Sequence, residues 1–308
     1  MRIVVLGTGP FAVPSLRSLH ASDHKVLSAV SRPPRGRRAK PAPVYLAAEE
    51  LGIETWLPET VNCDEACAKL TAYDADLLVV CDYGEILKPP TLASSHLGGI
   101  NLHGSLLPKY RGAAPVQWAV FNGDTETGNT VIQMTPGLDA GPALGVERIP
   151  IDRDETAGEL EERMAILGAE LVLDVVEQLS AGTTSPVPQE KSEATKAPRL
   201  SKEMGQIDWS RSALEIKNQV RALQPWPRAF TAWLRPEAEP VRLIVHRVQT
   251  APAEAGSPGT VVRSEAGIRV AAGDGCLCLE EIQPAGKRVM LADDFLRGYR
   301  VQPGDRMG

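Results

Sequence analysis

Apolar and polar residues follow two rhythms along the first 180 residues of this chain. Short, nearly continuous apolar runs predict buried strands at residues 3–6, 25–30, 76–81, 99–103, 130–134 and 143–149. Apolar residues at helical spacing predict helices at 11–20, 44–51, 63–71, 115–122 and 156–179. Alternation of this kind predicts an α/β fold: a doubly wound, mostly parallel, Rossmann-like sheet with helices on both faces. The pattern changes after Leu179. Residues 180–200 are rich in Ser, Thr, Ala, Pro and Lys and read as a linker. A helical stretch at 213–223 follows, then short strand patterns at 228–234, 241–248, 259–262, 267–271 and 276–282, which predict a small OB-like β-barrel. The expected organisation is a first domain at 1–182, a linker at 183–205 and a barrel domain at 206–308.

One predicted strand breaks its own apolar pattern. Asn101 and His103 close the run at 99–103, and residues two apart on a strand point to the same face. An amide and an imidazole on one face of a core strand are costly unless they bond something. In doubly wound sheets ligands sit beyond the carboxyl ends of the strands, which is where this pair lies. Asp139, in Gly137-Leu-Asp-Ala-Gly141, also follows a strand and can meet the pair at one rim. An amide and an imidazole can donate to an oxyanion, and a carboxylate can orient the imidazole and take up a proton. That set suits acyl transfer to an amine, with no Ser or Cys nucleophile required.

A second motif points elsewhere. Gly7-Thr-Gly9-Pro-Phe-Ala12 follows the first strand and matches the dinucleotide fingerprint G-x-G-x-x-A. The acid expected at the end of the second strand is missing, because that strand ends Ser31-Arg32. An arginine there suits a 2′-phosphate, so an NADP reductase is the rival reading. The preferred one is a tight turn whose glycines let a helix approach a strand.

Charge distribution is more informative than the net value of −6. Residues 206–308 hold 14 Lys+Arg and 12 Asp+Glu, or +2; the other 205 hold 33 − 14 = 19 and 39 − 12 = 27, or −8. Against that acidic background, Arg32, Arg35, Arg37, Arg38 and Lys40 fall within nine residues, which suits a phosphate-bearing partner held at one place. Five cysteines, odd in number, suggest no disulfide framework, and Cys63-x-x-x-Cys67 has no second pair, so no metal is expected. No apolar run is long enough to span a bilayer and no signal-peptide pattern opens the chain, so a cytoplasmic protein with no membrane partner is expected.

The segment Asn101-Leu-His-Gly-Ser-Leu-Leu-Pro-Lys-Tyr-Arg-Gly112 resembles the signature of the folate-dependent formyltransferases, and Gly137–Gly141 resembles their second signature. The resemblance implies that Asn101, His103 and Asp139 are catalytic, that 10-formyltetrahydrofolate is the donor and that no metal takes part. It implies a folate site lined by Ser105, Leu106, Leu107 and Pro108, with Tyr83 and Gly84 helping to enclose the pterin. Residues 112–117, 132–134, 207–210, 224–227 and 283–287 are similar to the branch of the family that formylates initiator methionyl-tRNA. The basic cluster resembles the loop by which that branch contacts the tRNA acceptor arm, with Arg35 leading and Arg37, Arg38 and Lys40 beside it. The barrel would then bind tRNA as well, and the expected state is a monomer. Rival readings are a formyltransferase acting on a sugar-nucleotide amine, a formyltetrahydrofolate hydrolase or dehydrogenase module, and a non-catalytic RNA-binding protein.

Overall fold

The apolar runs form the centre of a seven-stranded sheet. The computed structural model describes residues 1–34, 36, 40–235, 238–264 and 267–308. Its first strands are β1 (Arg2–Gly7), β2 (Lys25–Val30), β3 (Thr55–Trp56), β4 (Leu77–Cys81), β5 (Gly99–His103), the two-residue β6 (Arg111–Gly112), β7 (Glu126–Gln133) and β8 (Ala143–Pro150). All but β6 join one sheet in the order β3-β2-β1-β4-β5-β7-β8. The pairs from β3 through β5 are parallel, and β5–β7 and β7–β8 are antiparallel. Every residue of β4 is buried, as expected for a strand covered on both faces. The chain leaves β1 towards β2 and returns to pair β4 on the other side of β1, so the strand order reverses between β1 and β4.

Two details depart from the sequence pattern. β7 starts at Glu126 rather than 130, because the polar stretch from Thr127 to Asn129 is buried and pairs with β8. Residues 183–205, expected as a linker, are bonded into the sheet's own unit as far as Pro198. Val187 exchanges backbone hydrogen bonds with Ala143 at 2.8 Å each way. Further on, β9 (Lys196–Ala197) pairs in parallel with β6.

The long helix Ala157–Ala181 begins where Thr156 and Glu159 cap each other: Glu159 N–H donates to Thr156 Oγ1 (3.3 Å) and Thr156 N–H to Glu159 Oε2 (2.9 Å). Its Leu160, Met164, Val172 and Val176 recur at helical spacing and are all fully buried.

By contact the described residues fall into two compact units. The first comprises Met1–Pro115, Glu126–Pro150 and Leu160–Pro198; the second comprises Val116–Thr125, Ile151–Glu159 and Arg199–Gly308. The second unit is built on β10 (Ala229–Arg235), β11 (Ala238–Ala251), β12 (Val261–Arg263), β13 (Ile268–Ala271), β14 (Cys276–Pro284), β15 (Met290–Leu291) and β16 (Arg306–Met307). Their order is β12-β13-β14-β11-β10-β16, with β15 on β14. A bridge between Thr260 and Arg306 brings the two ends of that order together, giving a nearly closed antiparallel barrel. Trp209, Ile216, Trp233, Leu243, Val245, Leu279 and Phe295 fill it. The two short β elements near the chain end had no counterpart in the sequence pattern, since two residues carry no period. The segment Ile151–Glu159 belongs to this unit through buried polar groups: Lys217 pairs with Asp154, and Arg221 Nη1 donates to Asp152 O (2.9 Å) and Glu155 O (3.0 Å). Among the described residues no helix is long and apolar enough to cross a membrane.

Candidate active site

Asn101 and His103 lie where β5 ends, between β4 and β7 (Val80↔Asn101; Asn101↔Ile132; His103↔Thr130). His103 is 5 % exposed. Its Nε2 lies 2.9 Å from Tyr110 O. A carbonyl only accepts, so Nε2 carries a hydrogen and donates it. The other ring nitrogen, Nδ1, faces Asp139 Oδ2 at 3.8 Å, beyond hydrogen-bond reach but within ion-pair distance. No described residue bonds the partly exposed Asn101 amide. The three residues predicted from sequence therefore occupy one rim, with the amide and Nδ1 left for a ligand.

Asp139 is held from several sides. Its Oδ2 accepts the Gly112 N–H at 2.9 Å. Gly112 has φ 129°, and a Cβ there would stand 2.5 Å from Ala197 O, so glycine is needed for β6 to lie against β9. Asp139 itself has φ 46°, an uncommon conformation for a residue with a side chain. Gln189 braces that turn: its Nε2 donates to Asp139 O (2.8 Å) and Gly141 O (2.7 Å). Gln189 Oε1 accepts Arg111 Nε (3.1 Å) and Nη2 (2.6 Å). Sequence reasoning missed Gln189 because it lies in the stretch read as a linker; no local signal marks it.

The segment predicted to line the folate site turns directly after β5. Ser105 is fully buried, and its hydroxyl donates to Lys109 O (2.7 Å). Thr130 Oγ1 donates to Ser105 O (2.7 Å) and accepts Leu107 N–H (3.2 Å). Ser105 thus braces the turn, while Leu106, Leu107 and Pro108 keep partial exposure. Tyr83 is 2 % exposed, and its hydroxyl has no partner among the described residues. Burial, assisted by the Glu85 charge, pushes that phenol well above its ordinary range. Gly84 has φ 82°, which suits glycine at this turn.

A cavity of about 410 Å³ opens at the carboxyl ends of β1, β2 and β4, lined by Thr8, Gly9, Arg32, Lys40, Asp82 and Gly84 among others. Of the predicted tRNA-contacting residues, Lys40 is exposed on its wall; Arg35, Arg37 and Arg38 lie outside the described residues. The glycine turn of the dinucleotide-like motif borders this cavity, but it is already occupied. The N–H groups of Thr8 and Gly9 point at Asp82 O (3.1 and 3.5 Å). A Cβ on Gly9 would fall 1.7 Å from Asp82 Oδ2. Loss of hydration in the recess pushes the Asp82 carboxyl up to about 6, against the Gly9 N–H that holds it down. Water reaching the exposed residue works against that rise. A pyrophosphate approaching this turn would meet a carboxylate rather than free N–H groups, which favours the tight-turn reading over an NADP site.

Among the described residues no group of three or more His, Cys, Asp or Glu side chains could hold a metal ion, and all five cysteines are free.

The formyl transferase family model matches residues 1–176, and the model of the formyl transferase C-terminal domain matches residues 199–300. A methionyl-tRNA formyltransferase of Rhodopirellula baltica is 44 % identical over 324 residues, covering 100 % of this chain and 96 % of that protein. One from Desulfotalea psychrophila is 43 % identical, covering 98 % of this chain and 94 % of its own length. WlaRD, a sugar 3N-formyl transferase solved in the presence of dTDP and 5-N-formyl-THF, shares the fold with a TM-score of 0.67 at 17 % identity, over 94 % of this chain and 99 % of its own. With both domains matched in order and full-length relatives above two-fifths identity, the chain belongs to the methionyl-tRNA formyltransferase family.

Proposed function

We propose that this enzyme moves the formyl group of 10-formyltetrahydrofolate onto the α-amine of methionine carried by initiator tRNA. The observation that carries the catalytic part is the rim of β5: an Asn101 amide that no described residue bonds, beside a His103 whose second ring nitrogen faces Asp139. The amine attacks the formyl carbon and a tetrahedral oxyanion forms. The Asn101 amide and the Nδ1–H of a protonated His103 donate to it. Because Nε2 is spent on Tyr110 O, any proton that His103 gives or takes passes through Nδ1. Asp139 accepts the proton lost by the amine, directly or through water. The C–N10 bond then breaks, the proton taken up by Asp139 passes to N10, directly or through water, and tetrahydrofolate leaves. Leu106, Leu107, Pro108, Tyr83 and Gly84 form the folate side, with Ser105 fixing the turn. Arg35, Arg37, Arg38 and Lys40 meet the phosphates of the acceptor arm, and the barrel adds further tRNA contacts.

The test is formyl transfer from 10-formyltetrahydrofolate with charged initiator tRNA, free methionine and a UDP-amino-sugar as competing acceptors. Formylation of the tRNA is expected. Formyl transferred to the sugar, or released to water, would keep the trio and overturn the acceptor.

A further inference from the structure

Glu85 stands between two loops to which the proposed function gives different substrates. On one side is the turn after β4, whose Tyr83 and Gly84 are assigned to folate. On the other is Arg32, at the start of the basic loop. The Glu85 carboxylate is 17 % exposed and Arg32 is 19 % exposed, with Nη1 donating to Glu85 Oε2 at 3.1 Å. Three further donors from the stretch after β3 converge on the same carboxylate: Thr60 Oγ1, Val61 N–H (3.3 Å) and Asn62 Nδ2 (2.8 Å). Asn62 goes on to fix the turn itself, donating to Ile86 O (2.9 Å) and accepting Lys88 N–H (2.7 Å) and Thr91 Oγ1 (2.9 Å). A second link runs through Thr8, whose hydroxyl accepts Arg32 N–H (3.4 Å) and donates to Tyr83 O (3.2 Å).

A carboxylate that takes up four donors from two other segments fixes three pieces of chain relative to one another. Three of those donors come from one stretch and hold the turn after β4. The fourth, Arg32, is the charged one, and it comes from the segment that follows β2. What it gains is a fixed position for the first residues of the basic loop. We infer that Glu85 is a positioning residue that anchors the stem of the basic loop, through Arg32, to the wall of the folate site. The inference rests on the reading of that loop as the tRNA contact.

The test is a double-mutant cycle on the full chain, with steady-state formylation of charged initiator tRNA. Glu85→Gln keeps an acceptor oxygen for Thr60 and Asn62 but removes the charge opposite Arg32. Arg32→Gln leaves the other three donors in place and serves should Glu85→Gln disturb the turn. Each single variant should raise KM for the tRNA by about threefold to tenfold, less than the full worth of a charged hydrogen bond because the change reaches the tRNA only through the position of the loop. KM for the folate donor and kcat should move by less. The double variant should be no worse than the worse single one, because both changes cut the same link. Asn62→Ala should show the opposite split, raising KM for the folate donor more than KM for the tRNA. Additive effects at Arg32 and Glu85, or an unchanged tRNA KM, would overturn the anchor. A wild-type enzyme that formylates no tRNA would instead overturn the reading beneath it.

Discussion

Two loops leave the carboxyl edge of the same sheet and behave in opposite ways. The turn after β1 carries a recognisable fingerprint, yet its N–H groups face Asp82 O and its open side is filled by the Asp82 carboxylate. The rim at β5 carries no phosphate-binding glycines, yet the Asn101 amide and His103 Nδ1 there make no hydrogen bond to a described residue. A motif states what a backbone could bind if its groups were free; the structure states which groups are free. The proposed chemistry follows the second.

The widest separation between the two loops is expected at Asn101 and His103. Replacing either with Ala removes one oxyanion donor and should lower kcat by about 10²–10³ while the fold persists, as thermal melting would show. Next comes Gln189→Ala. It cuts both bonds to the Asp139 turn and both from Arg111, leaving Asp139 to hold φ 46° without its brace. A loss of roughly tenfold in kcat is expected, with about 1–3 kcal/mol of stability. An unchanged kcat would remove Gln189 from the catalytic support.

On the glycine turn, Gly9→Ala should destabilise by about 1–3 kcal/mol in chemical denaturation, because the new methyl runs into Asp82. Asp82→Gly should relieve most of that cost. If it did not, the contact would not be what the glycine is for. The smallest effect concerns pH. The Asp82 carboxyl is raised, so between about 4 and 6 the folded state binds more protons there than the unfolded state. Its contribution to stability is therefore fully present below its unfolded pKa, declines as pH rises through about 6, and is flat above. Asp82→Asn should remove that decline from a stability–pH series.

The sequence made the central strands readable because a strand covered on both faces is a plain apolar run. It also pointed to the candidate site, because Asn101 and His103 interrupt such a run and Asp139 stands in a glycine-flanked loop after another. It did not reveal what holds Asp139. Gln189 acts through bonds to residues 48 and 50 positions away, inside a stretch whose composition is that of a linker. Nor did it show β7 starting at Glu126, since Thr127 and Asn129 look solvent-facing; both are buried, and Asn129 Nδ2 donates to Met164 O (2.8 Å) on the long helix Ala157–Ala181. The grouping of Ile151–Glu159 with the barrel is likewise a matter of partners, Lys217 and Arg221, that no local pattern announces.

The most direct measurement is the single-turnover rate of formyl transfer from 10-formyltetrahydrofolate to charged initiator tRNA, for the wild type, Asn101→Ala and Asp82→Asn side by side. The expected result is a fall of about 10²–10³ for Asn101→Ala and a far smaller change for Asp82→Asn. Full rate in Asn101→Ala, or an equal loss in both, would contradict the assignment of the chemistry to the rim of β5.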